Sequence, residues 1–125
     1  MPFSSWDDFL ALAKTLVDLS GESMFRSAIN RSYYSAFHIS IQFAQATYSF
    51  QRDRSSSDHG RVVSQLRRSG DRPIQDAGRQ LNRLRDNRRK ADYDERIQIT
   101  GSFARASIQI AERIIDILRN WTPAP

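Results

Sequence analysis

The segment ESMFRSAINRSYYSAFHISIQFAQATYSF, residues 22–50, decides the fold. It contains neither glycine nor proline, and a helix of this length would span roughly 40 Å at 1.5 Å per residue. One stripe of mostly apolar residues at helical spacing consists of Phe25, Ile29, Ser32, Ala36, Ile39, Phe43 and Thr47. A second stripe consists of Tyr33, Phe37, Ala44 and Tyr48. Two such stripes predict a long central helix packed by several neighbours.

Four more helical segments surround this one along the chain. The first covers residues 5–18, with Ser4 or Ser5 as its cap. The third covers residues 59–68, and the fourth begins at Pro73, a residue favoured in the first helical turn. The fifth covers residues 100–120 after an irregular stretch at 93–98, and its expected buried face is Phe103, Ala106, Ile110, Ile114, Ile117 and Trp121. We therefore predict an all-α fold: an antiparallel four- to five-helix up-and-down bundle with a long central second helix, forming one domain over residues 1–125 with a core at about 5–120.

Composition limits the classes of function. The chain has 39% hydrophobic and 26% charged residues, which is typical of a folded protein, and it has no cysteine for a disulfide or a thiolate site. No apolar run approaches the roughly 20 residues of a membrane span, so we expect a cytoplasmic protein without a membrane partner. The net charge is +5, and 17 of the 19 basic residues are arginine. This excess favours a polyanionic partner such as RNA or DNA, or an acidic protein surface, although genome composition alone can also favour arginine over lysine.

The most basic stretch is RQLNRLRDNRRKADYDE, residues 79–95. On a helix, Arg85, Arg88, Arg89 and Asp92 fall on one side, away from the apolar positions. Crowded guanidinium groups bind phosphates by charge and by paired hydrogen bonds. The simpler interpretation is a solvated helix face neutralised by nearby aspartates.

A second polar set lies within the central helix. Arg31, Tyr34 and His38 stand at i, i+3 and i+7, so they share a face that could line a cleft beside the fourth segment. Tyrosine and histidine in a buried helix usually pack, with their polar tips hydrogen-bonded. Arg31 needs a partner in such surroundings, and Asp92 is the candidate.

The two histidines, His38 and His59, do not have metal-ligand spacing, so we expect no metal and no cofactor. His59 lies at the start of the third segment. A histidine near a helix N-terminus protonates less readily, which suits a general base. A surface or capping role is the alternative.

Three stretches carry a resemblance to a known family. AINRSYYSAFHIS (28–40) resembles the central-helix motif of HEPN domains, SDHGRVVSQL (57–66) resembles their third-helix start, and LRDNRRKADYD (84–94) resembles their "LRxxRxxADY" stretch. The order and spacing agree over about residues 25–120. The resemblance implies a bundle that forms a homodimer, with the fourth-helix regions of two copies lining a shared cleft.

The resemblance also implies chemistry. Many HEPN proteins act on RNA, and catalytic members are metal-independent endoribonucleases with an Arg-polar-x(3–5)-His motif, often in toxin–antitoxin pairs with a small nucleotidyltransferase. In this sequence, no histidine follows Arg85 or Arg88 at that spacing.

Three hypotheses follow for the function. The first is an RNA- or nucleotide-binding module of a toxin–antitoxin or defence system with a degenerate catalytic motif; its binding residues are Arg85, Arg88, Arg89 and Asp92, together with Arg31, Tyr34 and His38. The second is an active endoribonuclease with Arg88, Tyr93 and His59 as catalytic residues. The third is a protein-interaction partner of a small nucleotidyltransferase, with Tyr93 as a candidate target of that enzyme.

Overall fold

The computed structural model describes residues 5–123, and its helices follow the predicted order. They are α1 (Trp6–Leu19), α2 (Glu22–Tyr48), α3 (Asp58–Arg67), α4 (Arg72–Tyr93) and α5 (Gly101–Asn120). No strand occurs in the described range. Helix α2 packs against each of the other four helices, so it is the central element of the bundle. The predicted all-α fold with a long second helix is confirmed.

Helix α2 is buried on nearly all sides because small residues let its neighbours approach. Ser32, Ser35 and Ser40 are fully buried. The Ser35 hydroxyl donates to the carbonyl oxygen of Trp6 at 2.6 Å, which ties α1 to this surface. The helix ends at Tyr48, two residues earlier than expected, because Ser49 adopts a left-handed conformation with φ of 57°.

The start of α3 lies beneath the loop formed by residues 51–57. Asp58, which is 1% exposed, accepts the backbone N–H groups of Asp53 at 2.8 Å and Arg54 at 3.0 Å. Its carboxylate also pairs with the guanidinium groups of Arg52 and Arg61. Burial raises the pKa of Asp58, but these hydrogen bonds and charges outweigh burial and hold the pKa below its usual value. The Asp58 carboxylate thus holds the loop of residues 51–57 over the start of α3 and does not cap the helix.

The other predicted helix starts differ in detail. Ser5 is the N-cap of α1 but accepts no side-chain hydrogen bond there, and the alternative cap, Ser4, lies outside the described residues. Helix α4 begins one residue early, at Arg72, with Pro73 in its first turn. Thr100 caps α5 by accepting the N–H of Phe103 at 3.1 Å.

The buried face of α5 is rotated from the predicted one. Its buried residues are Ala104, Ser107, Ile108, Ala111, Ile114, Ile115 and Leu118. Of the predicted set, only Ile114 is fully buried, whereas Phe103, Ile110 and Ile117 lie at the edge and Ala106 is exposed. The buried face combines three small residues with Ile108, Ile114, Ile115 and Leu118, and α5 packs with this face against α2 and α4.

The irregular stretch after α4 is fixed by a half-buried arginine of α2. The Arg26 guanidinium donates to the carbonyl oxygen of Ala91 at 2.7 Å and to that of Ile97. Glu22, paired with Arg26, accepts the N–H of Ile99 at 3.1 Å. These contacts satisfy carbonyl groups at the end of α4 and hold that end against α2.

Candidate functional site at the C-terminal half of helix α4

Arg88 is the centre of the candidate site. Its guanidinium carbon lies 5.0 Å from the ring centroid of Tyr33 and 5.7 Å from that of Tyr34, both on α2. On the outer side it lies 5.8 Å from the ring of Tyr93. The side chain is only 13% exposed, so these cation–π contacts act in a partly desolvated environment, where they are strongest.

Asp92 neutralises Arg88 across one helical turn. Nη1 of Arg88 donates to Oδ2 of Asp92 at 3.3 Å, and this oxygen also accepts a hydrogen bond from Nδ2 of Asn30 at 3.0 Å. Nε of Arg88 is buried and has no hydrogen-bond partner among the described residues. One donor of the guanidinium is therefore unused at the centre of the site.

The predicted contact between Arg31 and Asp92 is wrong. Asn30 occupies that place, and among the described residues the Arg31 guanidinium is bonded only to the side-chain oxygen of Asn30, at 3.5 Å. Successive helical residues differ by about 100° in direction, so the residue before Arg31 is the one that faces α4. Arg31 therefore lies beside the site and contributes to it through Asn30.

Tyr33 joins Arg88 to a buried histidine. The Tyr33 hydroxyl and Nδ1 of His59 are 2.7 Å apart, and Nε2 of His59 is 3.3 Å from Oδ1 of Asn82. Because an amide oxygen can only accept, Nε2 carries the ring proton, and Nδ1 accepts the hydrogen bond of Tyr33. His59 and Tyr33 are 5% and 3% exposed. The Tyr33 hydroxyl and both nitrogens of His59 are therefore paired, and these two rings are closed to solvent, whereas Asn82 is exposed.

The electrostatics of this network keep both groups neutral. Burial is the main cause that lowers the pKa of His59 to about 4, and the positive charges of Arg85 and Arg88 lower it further. The hydrogen bond with Asn82 is the second-largest influence and raises this pKa, and the charge of Asp86 raises it by a smaller amount. Burial likewise raises the pKa of Tyr33, although the same two arginines oppose that shift.

The predicted face formed by Tyr34 and His38 is divided between two neighbours. Tyr34 contacts Arg88 and therefore belongs to the site. His38 stacks on Trp6 of α1 with ring centroids 3.7 Å apart and an interplanar angle of 10°. Burial, with help from Arg52, lowers the pKa of His38 to about 4, so this ring packs as a neutral group away from Arg88.

The solvent-facing side of α4 carries cations without acidic partners. Arg85 is half-buried, whereas Arg89 and Lys90 are exposed. Within the described residues, none of the three has a carboxylate oxygen within 4 Å. Arg89 and Lys90 line an open depression of about 590 Å³ together with Tyr93, which is 72% exposed, and with Asp94, Glu95 and Arg96. An aromatic ring next to unpaired cations is an arrangement that suits a nucleotide base and its phosphate.

Comparison with known proteins agrees with the motifs of α2 and α4. The family model for the HEPN domain matches residues 7–121, nearly the whole chain. The chain belongs to the HEPN family. No curated protein and no solved structure matches it. The HEPN assignment covers all five helices and therefore includes the Arg88 site.

This HEPN domain brings His59 and Arg88 to the same tyrosine. Tyr33 contacts the guanidinium with its ring and the imidazole with its hydroxyl. However, His59 is closed to solvent and both of its nitrogens are engaged, so the geometry does not support proton transfer between His59 and a bound substrate. What the site offers is a set of positive charges and one exposed aromatic ring.

Sequence reasoning missed Asn30 and Asn82 as members of the site. Asn82 stands three residues before Arg85 and seven before Arg89, so the polar face of α4 already contained its signal. Nothing in the sequence indicated that His59 would lie opposite it, because that contact depends on how α3 packs on α4. In the described part of the chain, no group of three or more His, Asp or Glu side chains is placed to hold a metal ion, and no helix is long and apolar enough to cross a membrane.

Proposed function

We propose that this HEPN domain binds single-stranded RNA or a nucleotide through Arg85, Arg88 and Arg89, with Asp92 and Tyr93 shaping the site. The observation that carries the proposal is that Arg85 and Arg89 have no carboxylate partner among the described residues, and that Arg89 lines the depression beside the exposed Tyr93 ring. Guanidinium groups bind phosphate oxygens through paired hydrogen bonds, and base stacking on an aromatic side chain contributes about 1–3 kcal/mol per base. RNA binding in a toxin–antitoxin or defence system of the cytoplasm is the biological setting we infer.

Arg88 has a different role from Arg85 and Arg89 in this proposal. Its guanidinium is held between tyrosine rings and Asp92, so it positions Tyr93 more than it reaches into solvent. Arg85 and Arg89 supply the phosphate contacts. Because the proposal does not require an accessible proton donor, binding without cleavage is the activity that the geometry favours.

The test is an electrophoretic shift of a labelled single-stranded RNA by the purified protein in EDTA. We expect the wild-type shift to weaken at least tenfold in an Arg85/Arg88/Arg89→Ala variant, since several charge-assisted contacts are removed together. Circular dichroism confirms that the variant is helical. An unchanged shift in this variant would refute the proposed site. Cleavage of the RNA by the wild type but not by Arg88→Ala would show that the domain is an endoribonuclease rather than a binding module.

A homodimer is part of the proposal. Two copies joined through their α4 regions would place two sets of unpaired arginines around one cleft and cover part of the exposed Tyr93 ring. Sedimentation equilibrium is expected to give twice the monomer mass of 14.4 kDa, and a monomer at every concentration would contradict this arrangement.

The exposure of Tyr93 also favours a second candidate, the docking of a small nucleotidyltransferase that uses this tyrosine as its target. In that case the cations around Tyr93 would attract an acidic partner surface. Co-purification of such an enzyme at low salt, with no RNA in the preparation, would favour docking over RNA binding.

A further inference from the structure

A second open depression, of about 650 Å³, lies between α3 and α4 and is separate from the Tyr93 surface. The polar side chains that line it are Ser56, Ser57, Arg61, Ser64, Gln65, Arg68 and Arg85. No carboxylate is among its lining residues. The depression therefore presents hydroxyl and guanidinium donors without an acidic group to compete for them.

The sequence of α3 explains why these donors converge. Positions 57, 60, 61, 64 and 68 fall on one helical face, whereas Val62, Val63 and Leu66 turn into the core. Helix α4 approaches the other end of α3 closely, since a Cβ on Gly78 would lie 3.1 Å from Cβ of Leu66. Arg85, two helical turns beyond Gly78, then borders the polar face of α3.

The charge in the depression comes from two of its three arginines. Arg61 is neutralised by Asp58 at 3.3 Å and by Asp53 at 3.6 Å. Arg68 is bonded only to the neutral Gln65, at 3.1 Å, and Arg85 has no acidic partner among the described residues. Two uncompensated guanidinium groups match the charge of a phosphate monoester, which is about −1.5 to −2 at neutral pH.

We propose that this depression is a subsite for a terminal phosphate monoester, bound by Arg68 and Arg85 with the Ser57 and Ser64 hydroxyls. The inference rests on the proposed RNA binding for its natural ligand, because Arg85 lines this depression and is also one of the arginines proposed to contact RNA. Eight residues of helix, or roughly 12 Å, separate Arg85 from Tyr93. An RNA strand whose end phosphate occupies the depression would extend along α4 toward Tyr93.

The experiment compares two RNA oligonucleotides of one sequence, one with a 5′-phosphate and one with a 5′-hydroxyl. We expect the wild type to bind the phosphorylated strand about tenfold more tightly, as two added charge-assisted contacts allow. A Ser64→Ala/Arg68→Gln variant should lose this preference while its affinity for the 5′-hydroxyl strand stays within about twofold of the wild type. Arg67→Gln, with the same charge change one residue away and outside the depression, is the matched control.

A third arm separates this inference from the proposed function. If the wild type binds neither strand but inorganic phosphate raises its Tm, and Ser64→Ala/Arg68→Gln removes that rise, the subsite takes a free phosphate compound and the RNA proposal fails alone. Equal binding of the two strands by the wild type overturns the subsite. So does a preference that survives in the double variant, or the absence of both RNA binding and a phosphate effect.

Discussion

Tyr33 is the residue that joins the two parts of the candidate site. Its ring lies under the Arg88 guanidinium, and its hydroxyl is fixed by His59, which Asn82 holds in turn. Because His59 fixes the Tyr33 hydroxyl, it orients the Tyr33 ring. The ring in turn positions the Arg88 guanidinium. His59 thus acts as a positioning residue in this arrangement, since the imidazole itself is closed to solvent.

The buried imidazole makes stability depend on pH. The folded state keeps His59 neutral down to about pH 4, whereas the unfolded chain takes up a proton below about 6.5. Acid therefore favours the unfolded state, so the contribution of His59 is complete above pH 6.5 and is lost as pH falls toward 4. We expect this residue alone to lower the free energy of unfolding by about 2 kcal/mol between pH 7 and pH 4.5.

Urea unfolding of the wild type and of His59→Gln at several pH values measures this contribution. Glutamine does not titrate, so the variant should be less stable at pH 7 but lose less stability on acidification. His38 and the carboxylates remain in both proteins and produce the acid sensitivity that is common to them. If the free energies of unfolding of the two proteins fall in parallel from pH 7 to pH 4.5, then folding does not keep His59 neutral.

At the scale of elements, the contact between α3 and α4 depends on one glycine. A Cβ on Gly78 would lie 2.9 Å from Cγ of Arg67, 3.1 Å from Cβ of Leu66 and 3.3 Å from the backbone nitrogen of Arg67. The first neighbour is a flexible side chain and can move, but the other two belong to the packed helix. Close approach at this point aligns His59 with Asn82 and the depression with Arg85.

We expect Gly78→Ala to lower the free energy of unfolding by about 1–3 kcal/mol, because the added methyl group forces α3 and α4 apart. Gly60→Ala is the matched control, since a Cβ there meets nothing within 4 Å and the higher helix propensity of alanine stabilises by up to about 1 kcal/mol. Thermal or urea unfolding of both variants checks the pair. If Gly78→Ala is instead more stable than the wild type, α3 and α4 accommodate the added methyl group without loss of free energy of unfolding.

The elements also show what the sequence could and could not predict. Helix order, the long α2 and the break after residue 93 followed from periodicity and from local stop signals. The rotation of α5 did not, because isoleucines occur on both candidate faces of this helix and tertiary packing decides which of them are buried. Arg88 and Asp92 were predictable as an i, i+4 pair, whereas the contact of His59 with Tyr33 depends on tertiary packing.

At the scale of the whole molecule, the charge is divided unequally along the chain. Residues 52–96 hold 13 basic and 8 acidic residues, which accounts for the entire net charge of +5. The remaining residues hold six of each sign. Helices α3 and α4 lie within this basic segment, and so does every lining residue of the two depressions except Phe50, so a polyanion is attracted to this part of the bundle.

This asymmetry predicts how salt affects RNA binding. Affinity for a single strand falls with salt along a log–log slope of about −0.7 per phosphate contacted, since each contact releases a counterion. Arg85→Gln/Arg89→Gln should therefore make the slope less steep by about 1.4, because two phosphate contacts are lost. Fluorescence anisotropy over a range of salt concentrations gives the slope directly.

The control is Arg105→Gln/Arg113→Gln on the exposed surface of α5, which removes the same total charge from the other part of the chain. If binding is local to α4, this variant keeps the wild-type slope, since neither arginine contacts the strand. Equal slopes in the two variants would mean that the domain attracts RNA by net charge alone. The unpaired arginines of α4 would then have no specific role in RNA binding, although the helical packing around Arg88 would be unaffected.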